Sequence, residues 1–214
     1  MFSIAKRSTF KWMIAVLCLV LVVGCSSVNP PTKTDTVSQP APSSVPSPSP
    51  TTTQATDSAK ELLNNMKQLA EQGKVINCDF PVKTTALENV QSQWGEPDKS
   101  EWVAAAKGTY VTYTKHVMVF GLNKGSQIFE ARSLDKQLQQ LSLSKTKEVY
   151  GAPAYDVKVN GEEIIGYTAG KEFKMEFVFP LATPSNSNPM MDHYLVLYPA
   201  GTVNSMAGDP GRQW

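Results

Sequence analysis

Catalytic chemistry has little to draw on in this chain. It holds two histidines, His116 and His193, and three cysteines. There is no Gly-X-Ser-X-Gly elbow, no phosphate-cradling glycine loop ending in Lys-Ser/Thr and no His-Glu-X-X-His pair. The common signatures of serine hydrolases, nucleotide hydrolases and zinc proteases are therefore missing. A metal site would have to join two distant histidines to scattered acids, so no catalytic residue, metal ligand or cofactor is assigned. Charge of one sign is scarce too. Beyond residue 24 the chain carries 17 basic and 19 acidic side chains, a net charge of −2. That leaves no electrostatic case for nucleic acid and no polybasic patch for lipid headgroups.

What is present starts at the N-terminal end. Lys6, Arg7 and Lys11 precede Trp12–Gly24, thirteen residues without a charge. A basic segment, a short apolar run and small residues at a cut site make a secretory signal. The run is too short to span a bilayer, which needs about 20 apolar residues. Cys25 follows Gly24 directly. A cysteine there is what a bacterial lipoprotein signal requires: its thiol takes a diacylglycerol, cleavage falls before it, and the new amine can be acylated. Residues 1–24 are therefore read as the signal peptide and Cys25 as the lipidation site. Each buried CH₂ of an acyl chain contributes roughly 0.8 kcal/mol, so two or three chains hold where one would not. The partner expected first is thus the cell membrane, held through the lipid on Cys25 at its extracytoplasmic face. Cys18 leaves with the signal, so Cys78 is the remaining thiol and no intrachain disulfide can form. Set among Val75, Ile76 and Phe80, it is expected to be buried.

Residues 25–57 are the lipidated cysteine and a stem. Seven of the fifteen prolines lie here, with Ser and Thr filling most of the remainder and no aromatic residue. Such a segment buries too little to offset its ordering entropy and is expected to be disordered. As an extended, partly polyproline II spacer it reaches at most about 90–100 Å. A tether of that length suits a domain held within or across a cell wall, which favours a Gram-positive envelope.

Residues 58–214 are expected to form one globular α+β domain. Asp57 or Ser58 can cap a helix carrying Leu62, Leu63, Met66, Leu69 and Ala70, with Gly73 as its stop. A second helix is expected from Thr84 or Thr85, where Thr85-Ala86-Leu87-Glu88 has the form of a capping box. Trp94, Gly95 and Pro97 end it. Strands are predicted at Tyr110–Tyr113, His116–Phe120 and Ser126–Arg132, with Asn123-Lys124-Gly125 as a turn. The pattern then returns: Trp94-Gly95-Glu96-Pro97 is matched by Tyr150-Gly151-Ala152-Pro153, offset by 56. A short helix with Leu143 and Val149 precedes the second copy, capped by Ser142 or Ser144. Strands ending at Tyr167, over Phe173–Phe179 and over Tyr194–Tyr198 follow it. Self-similarity at a fixed period indicates duplication. The expected fold is two tandem helix-plus-antiparallel-sheet repeats, about 74–133 and 134–199, preceded by the N-terminal amphipathic helix and followed by a tail, 200–214. In each copy the aromatic is expected to plug the core and the glycine to take a left-handed cap.

A helix, an aromatic-Gly-X-Pro end and a three-strand meander, twice over, resemble the repeat of the β-lactamase inhibitor protein and of BamE-type outer-membrane-assembly lipoproteins. The stretch from about Ala59 to Trp214 resembles more closely the YjgB-like lipoproteins of Bacillus-type bacteria. The stretches that carry this are Gln72-Gly73-Lys74-Val75-Ile76-Asn77-Cys78, Trp94-Gly95-Glu96-Pro97-Asp98, Ala106-Lys107-Gly108-Thr109-Tyr110, Asp192-His193-Tyr194 and Gly208-Asp209-Pro210-Gly211-Arg212-Gln213-Trp214. That family has no known function, so the resemblance implies an envelope address and no chemistry.

Four residues are candidates for partner binding: Trp102, Tyr110, His193 and Trp214. Trp214 ends a tail that loose segments rarely furnish with an indole, so it either docks on the body or anchors a partner. Trp102 and Tyr110 either extend that patch or belong to the core. The expected function is a non-catalytic module that binds an envelope protein or a wall polymer. The alternative is an envelope hydrolase using His193 with nearby acids, although adjacent strand residues such as Asp192 and His193 face opposite sides. Glu162-Glu163 after Asn160-Gly161 is expected to be a solvated hairpin turn, and Lys171-Glu172 a surface turn.

Overall fold

A strand buried along its whole length must be paired on both edges and packed on both faces. β8 (His193–Leu197) is such a strand, with every residue buried, and β4 (Ile128–Ser133) nearly matches it. The two pair antiparallel, with Arg132 opposite Leu195 and Glu130 opposite Leu197. That pairing decides the architecture of the computed structural model, which describes residues 52–202. The signal peptide, Cys25, the stem up to residue 51 and Trp214 lie outside the described residues.

The other elements are α1 (Thr52–Ala70), α2 (Leu87–Trp94), β1 (Lys99–Val103), β2 (Gly108–Tyr113), β3 (Met118–Leu122), α3 (Leu143–Tyr150), β5 (Tyr155–Val159), β6 (Glu162–Ala169) and β7 (Phe173–Pro180). All eight strands form a single antiparallel sheet in the order β1-β2-β3-β4-β8-β7-β6-β5. The expected pair of tandem helix-plus-sheet repeats is therefore corrected: among the described residues there is one continuous sheet with three α-helices. The physical reason is the apolar β4 and β8, whose edges satisfy each other instead of bounding two sheets. Each meander also has four strands where three were expected. β1 is exposed along its whole length and its Lys99-Ser100-Glu101 start carries no apolar residue, while β5 alternates Tyr155, Val157 and Val159 with Asp156 and Lys158, a strand pattern the expected three-strand meander left out.

All three helices lie on one face. Leu63, Met66 and Ala70 of α1, Val90 of α2 and Leu143 of α3 join Val111, Phe120, Met175, Phe177, Tyr194 and Val196 of the sheet in one core cluster. Gly73, at φ 73°, ends the α1 segment as expected, and a Cβ there would meet the Phe173 ring at 3.0 Å. The α2 cap differs from the Thr85 box. Thr85 is drawn into pairing, its carbonyl accepting from the Ile128 N–H at 2.9 Å. The cap moves to Ala86, whose N–H donates to Asn89 Oδ1 at 3.0 Å. Ser142 caps α3 as read, accepting from the Lys145 N–H. Gly95 (φ 82°, ψ −167°) and Gly151 (φ 81°, ψ −156°) are not left-handed caps. Positive φ with extended ψ is open essentially only to glycine.

Candidate functional site

The face opposite the helices holds the less ordinary chemistry. Side chains alternate across a strand, so Phe129, Leu195 and Leu197 form a second, separate apolar cluster with Tyr110 packed against it. A register shift between β3 and β4 puts Phe129 there as an extra residue between Ile128 and Glu130. Its ring crosses Gly108 and Gly121: a Cβ on Gly121 would stand 3.0 Å from Phe129 Cζ and 3.1 Å from Tyr110 Cζ. Charges surround the leucines. Arg132 and Glu176 flank Leu195, and Glu130 and Lys174 flank Leu197. Arg132 Nη2 donates to Glu130 Oε1 at 2.7 Å, and the Tyr110 hydroxyl donates to Glu130 Oε2 at 2.8 Å. The Arg132 guanidinium also lies 5.9 Å from the Tyr110 ring centre. Glu130 and Glu176 are buried. Tyr110, Glu130, Arg132, Lys174 and Glu176 each hold further partners. Beside them, Glu101, Val103, Tyr110, Thr112, Val119 and Arg132 line much of a groove of about 400 Å³.

The sequence candidates do not converge on one spot. Tyr110 and His193 share this face. Trp102 pairs with Thr109, one residue from Tyr110, and so points to the other side of β1. It is 57% exposed on the sheet's edge. His193 starts β8, and Asp192 precedes the strand; its Oδ2 lies 2.7 Å from His193 Nδ1. The expected opposition of the two side chains therefore does not hold, because Asp192 is outside the pleat. Burial, with Arg132 nearby, keeps the His193 imidazole below its ordinary pKa against the pull of Asp192. His116 is not in a strand. It closes a 3-10 turn, Thr114–His116, and stacks on Trp94 with ring centres 3.8 Å apart.

Other polar features were invisible in sequence. Glu163 is not solvated: it is 3% exposed and takes Lys147 at 2.8 Å and Lys158 at 3.4 Å. Lys147 also reaches Asp156 at 2.9 Å. Burial pulls the Lys147 pKa down, but the bonds to Glu163 and Asp156 outweigh it and leave it raised. Asn160 and Gly161 do form the hairpin turn, both at positive φ. Glu172 pairs with Lys83 at 2.6 Å. Cys78 is buried as expected, and burial pushes its thiol up to about 11. Among the described residues no group of three or more His, Cys, Asp or Glu could hold a metal, and no helix is long and apolar enough to cross a membrane.

A family model described as a domain of unknown function, DUF4309, matches residues 63–197. The chain belongs to this family. The match spans α1 from Leu63 through the end of β8, so it takes in the sheet, the second face and both histidines. A crystal structure of a DUF4309 family protein, YjgB from Bacillus subtilis, is similar at 16% identity, covering 66% of this chain and 99% of that one, with a TM-score of 0.48. No curated protein matches the chain. The comparisons do not extend to the β-lactamase inhibitor protein or to BamE-type lipoproteins.

Proposed function

We propose that this DUF4309 domain is a non-catalytic binding module of the cell envelope, tethered through lipid on Cys25, and that it docks an extended segment of an envelope protein along β1. Trp102 carries this reading. Leaving an indole 57% exposed on an edge strand is costly unless a partner covers it. Among the described residues β1 has β2 on one side only, so its outer edge can accept one more strand. The paired Lys99 and Glu101, 2.7 Å apart on the opposite face of β1, guard it against indiscriminate pairing. A hydrolase centred on His193 is favoured by its bond to Asp192. It is the weaker reading because a general base must reach its substrate, and this ring is 8% exposed.

The test is photocrosslinking in intact cells, with the probe at Ser100 on β1 or at Lys158 on β5. A protein adduct from position 100, absent from position 158 and diminished by Trp102→Ala, is the expected result. Identical adducts from both edges, an adduct indifferent to Trp102→Ala, or one made only with wall polymer would overturn the reading.

A further inference from the structure

β5 lies at the far edge of the sheet from β1, and among the described residues it has β6 on one side only. Its residues alternate in chemistry. Tyr155, Val157 and Val159 pair with Gly166, Ile164 and Glu162 on the face away from the helices. Asp156 and Lys158 pair with the buried Ile165 and Glu163 on the helix face. Val159 is 41% exposed at this edge. The two-residue turn Asn160-Gly161 makes Val159 and Glu162 its closing hydrogen-bonded pair, and such pairs alternate along an antiparallel ladder. Tyr155, Val157 and Val159 therefore direct their backbone groups to β6, and the N–H and C=O of Asp156 and Lys158 point outward. Edges are commonly protected by charges that repel a second copy. β5 carries instead one charge of each sign, placed symmetrically about Val157.

We propose that β5 pairs antiparallel with β5 of a second copy of this chain, about a two-fold axis at Val157. The charges select the register. With Val157 opposite Val157, Asp156 of each copy stands opposite Lys158 of the other, and Tyr155 opposite Val159. A slip of two residues either way sets Asp156 against Asp156 or Lys158 against Lys158, and like charges directly opposite are destabilising. The same register joins the outward backbone groups, since each Asp156–Lys158 pair exchanges both of its N–H···O bonds. These side chains have partners within their own copy, Lys147 at 2.9 Å from Asp156 and Glu163 at 3.4 Å from Lys158. They remain 41% and 62% exposed, so contacts across the axis extend that charge network without breaking it. On the other face Val159 is covered by Tyr155 of the second copy, in one apolar stripe with Val157. A second copy is the occupant because the strand is its own complement, as a two-fold contact requires. The pairing does not rest on docking at β1, and it leaves β1 at the outer edge of each copy.

The experiment uses the full chain in the membranes of cells that make it, with cysteines introduced singly and mild oxidation. Val157→Cys is a small change at a half-buried site on the axis. Opposite residues of this kind have Cα atoms about 4.5 Å apart, within disulfide range. The expected result is a disulfide-linked dimer with Val157→Cys, and none above the unsubstituted chain with Ser100→Cys on β1. Val159→Cys should not link to itself, its two copies lying about 13 Å apart along the strand. It should link to Tyr155→Cys when the two are co-expressed. No dimer with Val157→Cys, an equal dimer with Ser100→Cys, or self-linking of Val159→Cys overturns the proposal. A check without mutation is carbodiimide coupling of Asp156 to Lys158 between isotopically heavy and light copies mixed in detergent. Coupling within one copy only would also overturn it. A photoprobe at Lys158 should give a self-adduct, distinct from a partner adduct at Ser100, so this proposal and the β1 reading fail separately.

Discussion

Trp94 and Tyr150 stand at the ends of α2 and α3, each ahead of a glycine at positive φ, yet the two halves of the sheet hold them by different means. Trp94 is gripped by rings. It meets Phe80 edge-on at 4.9 Å and Tyr113 at 5.5 Å, and lies flat against His116. Tyr150 packs on Tyr167 and Phe177, and its hydroxyl donates to the Leu63 carbonyl of α1 at 2.6 Å. The difference follows from α1, which packs on α3 and β7. In the second half a buried ring that carries a hydroxyl needs a hydrogen-bond partner, and the α1 backbone supplies one to Tyr150. The same logic recurs at Tyr194, whose hydroxyl accepts from the Ile76 N–H at 2.6 Å. The polar surroundings diverge as well. Lys147 bridges Asp156 and the buried Glu163. Its counterpart 56 residues earlier, Gln91, makes an exposed bond to Glu96. The lesson is that one helix-end signature accommodates both an apolar and a hydrogen-bonded seal.

The largest test of this contrast is Lys147→Met against Gln91→Met. Removing Lys147 leaves Glu163 buried with only the longer contact to Lys158, an expected loss of about 1–3 kcal/mol in urea unfolding. Gln91→Met is expected to stay within about 0.5 kcal/mol, and equal losses would break the contrast. Next is a feature the halves share. The Tyr113 hydroxyl donates to the Gly95 carbonyl at 3.1 Å and that of Tyr167 to the Gly151 carbonyl at 2.9 Å. Tyr113→Phe and Tyr167→Phe should each cost about 1 kcal/mol, while Tyr150→Phe should cost a similar amount with no counterpart at Trp94. A null result for Tyr150→Phe would remove the reason given for the tyrosine.

The smallest effect concerns pH. The second half alone carries a buried histidine, and burial holds the His193 pKa below 6.5 in the folded state. Below pH 6.5 the unfolded chain binds the proton more readily than the folded one. Stability is therefore complete above that pH and declines as pH falls towards the lower folded value. His193→Gln should flatten the decline, read from unfolding midpoints across that window. An unchanged slope would show that His193 does not contribute to it.

Elements with a local signature were legible. Helix periodicity placed Leu63, Met66 and Ala70 on the buried side of α1, and Asn123-Lys124-Gly125 and Asn160-Gly161 marked turns that the backbone adopts. Elements defined by their neighbours were not. β1 holds its place through pairing with β2, with little apolar content to advertise it. The cap of α2 shifted to Ala86 because β4 claims Thr85. Glu163 sits beside a turn dipeptide and reads as solvated until Lys147 and Lys158 come over it. Of the candidate binding residues, Tyr110 and His193 did reach a common face, while Trp102 did not, since one residue along a strand reverses the side.

The sequence by itself determined the helices with their glycine ends, the turns and the burial of Cys78. These depend on local backbone preference and hydrophobic period, which the chain carries residue by residue. Only the tertiary structure decided that two similar meanders share one sheet, that Glu130, Arg132, Lys174 and Glu176 gather around two leucines, and that Trp102 stays at the edge. Those outcomes rest on the pairing of β4 with β8. Partners as distant along the chain as Arg132 and Leu195 are chosen by edge satisfaction and core packing, which no local pattern encodes.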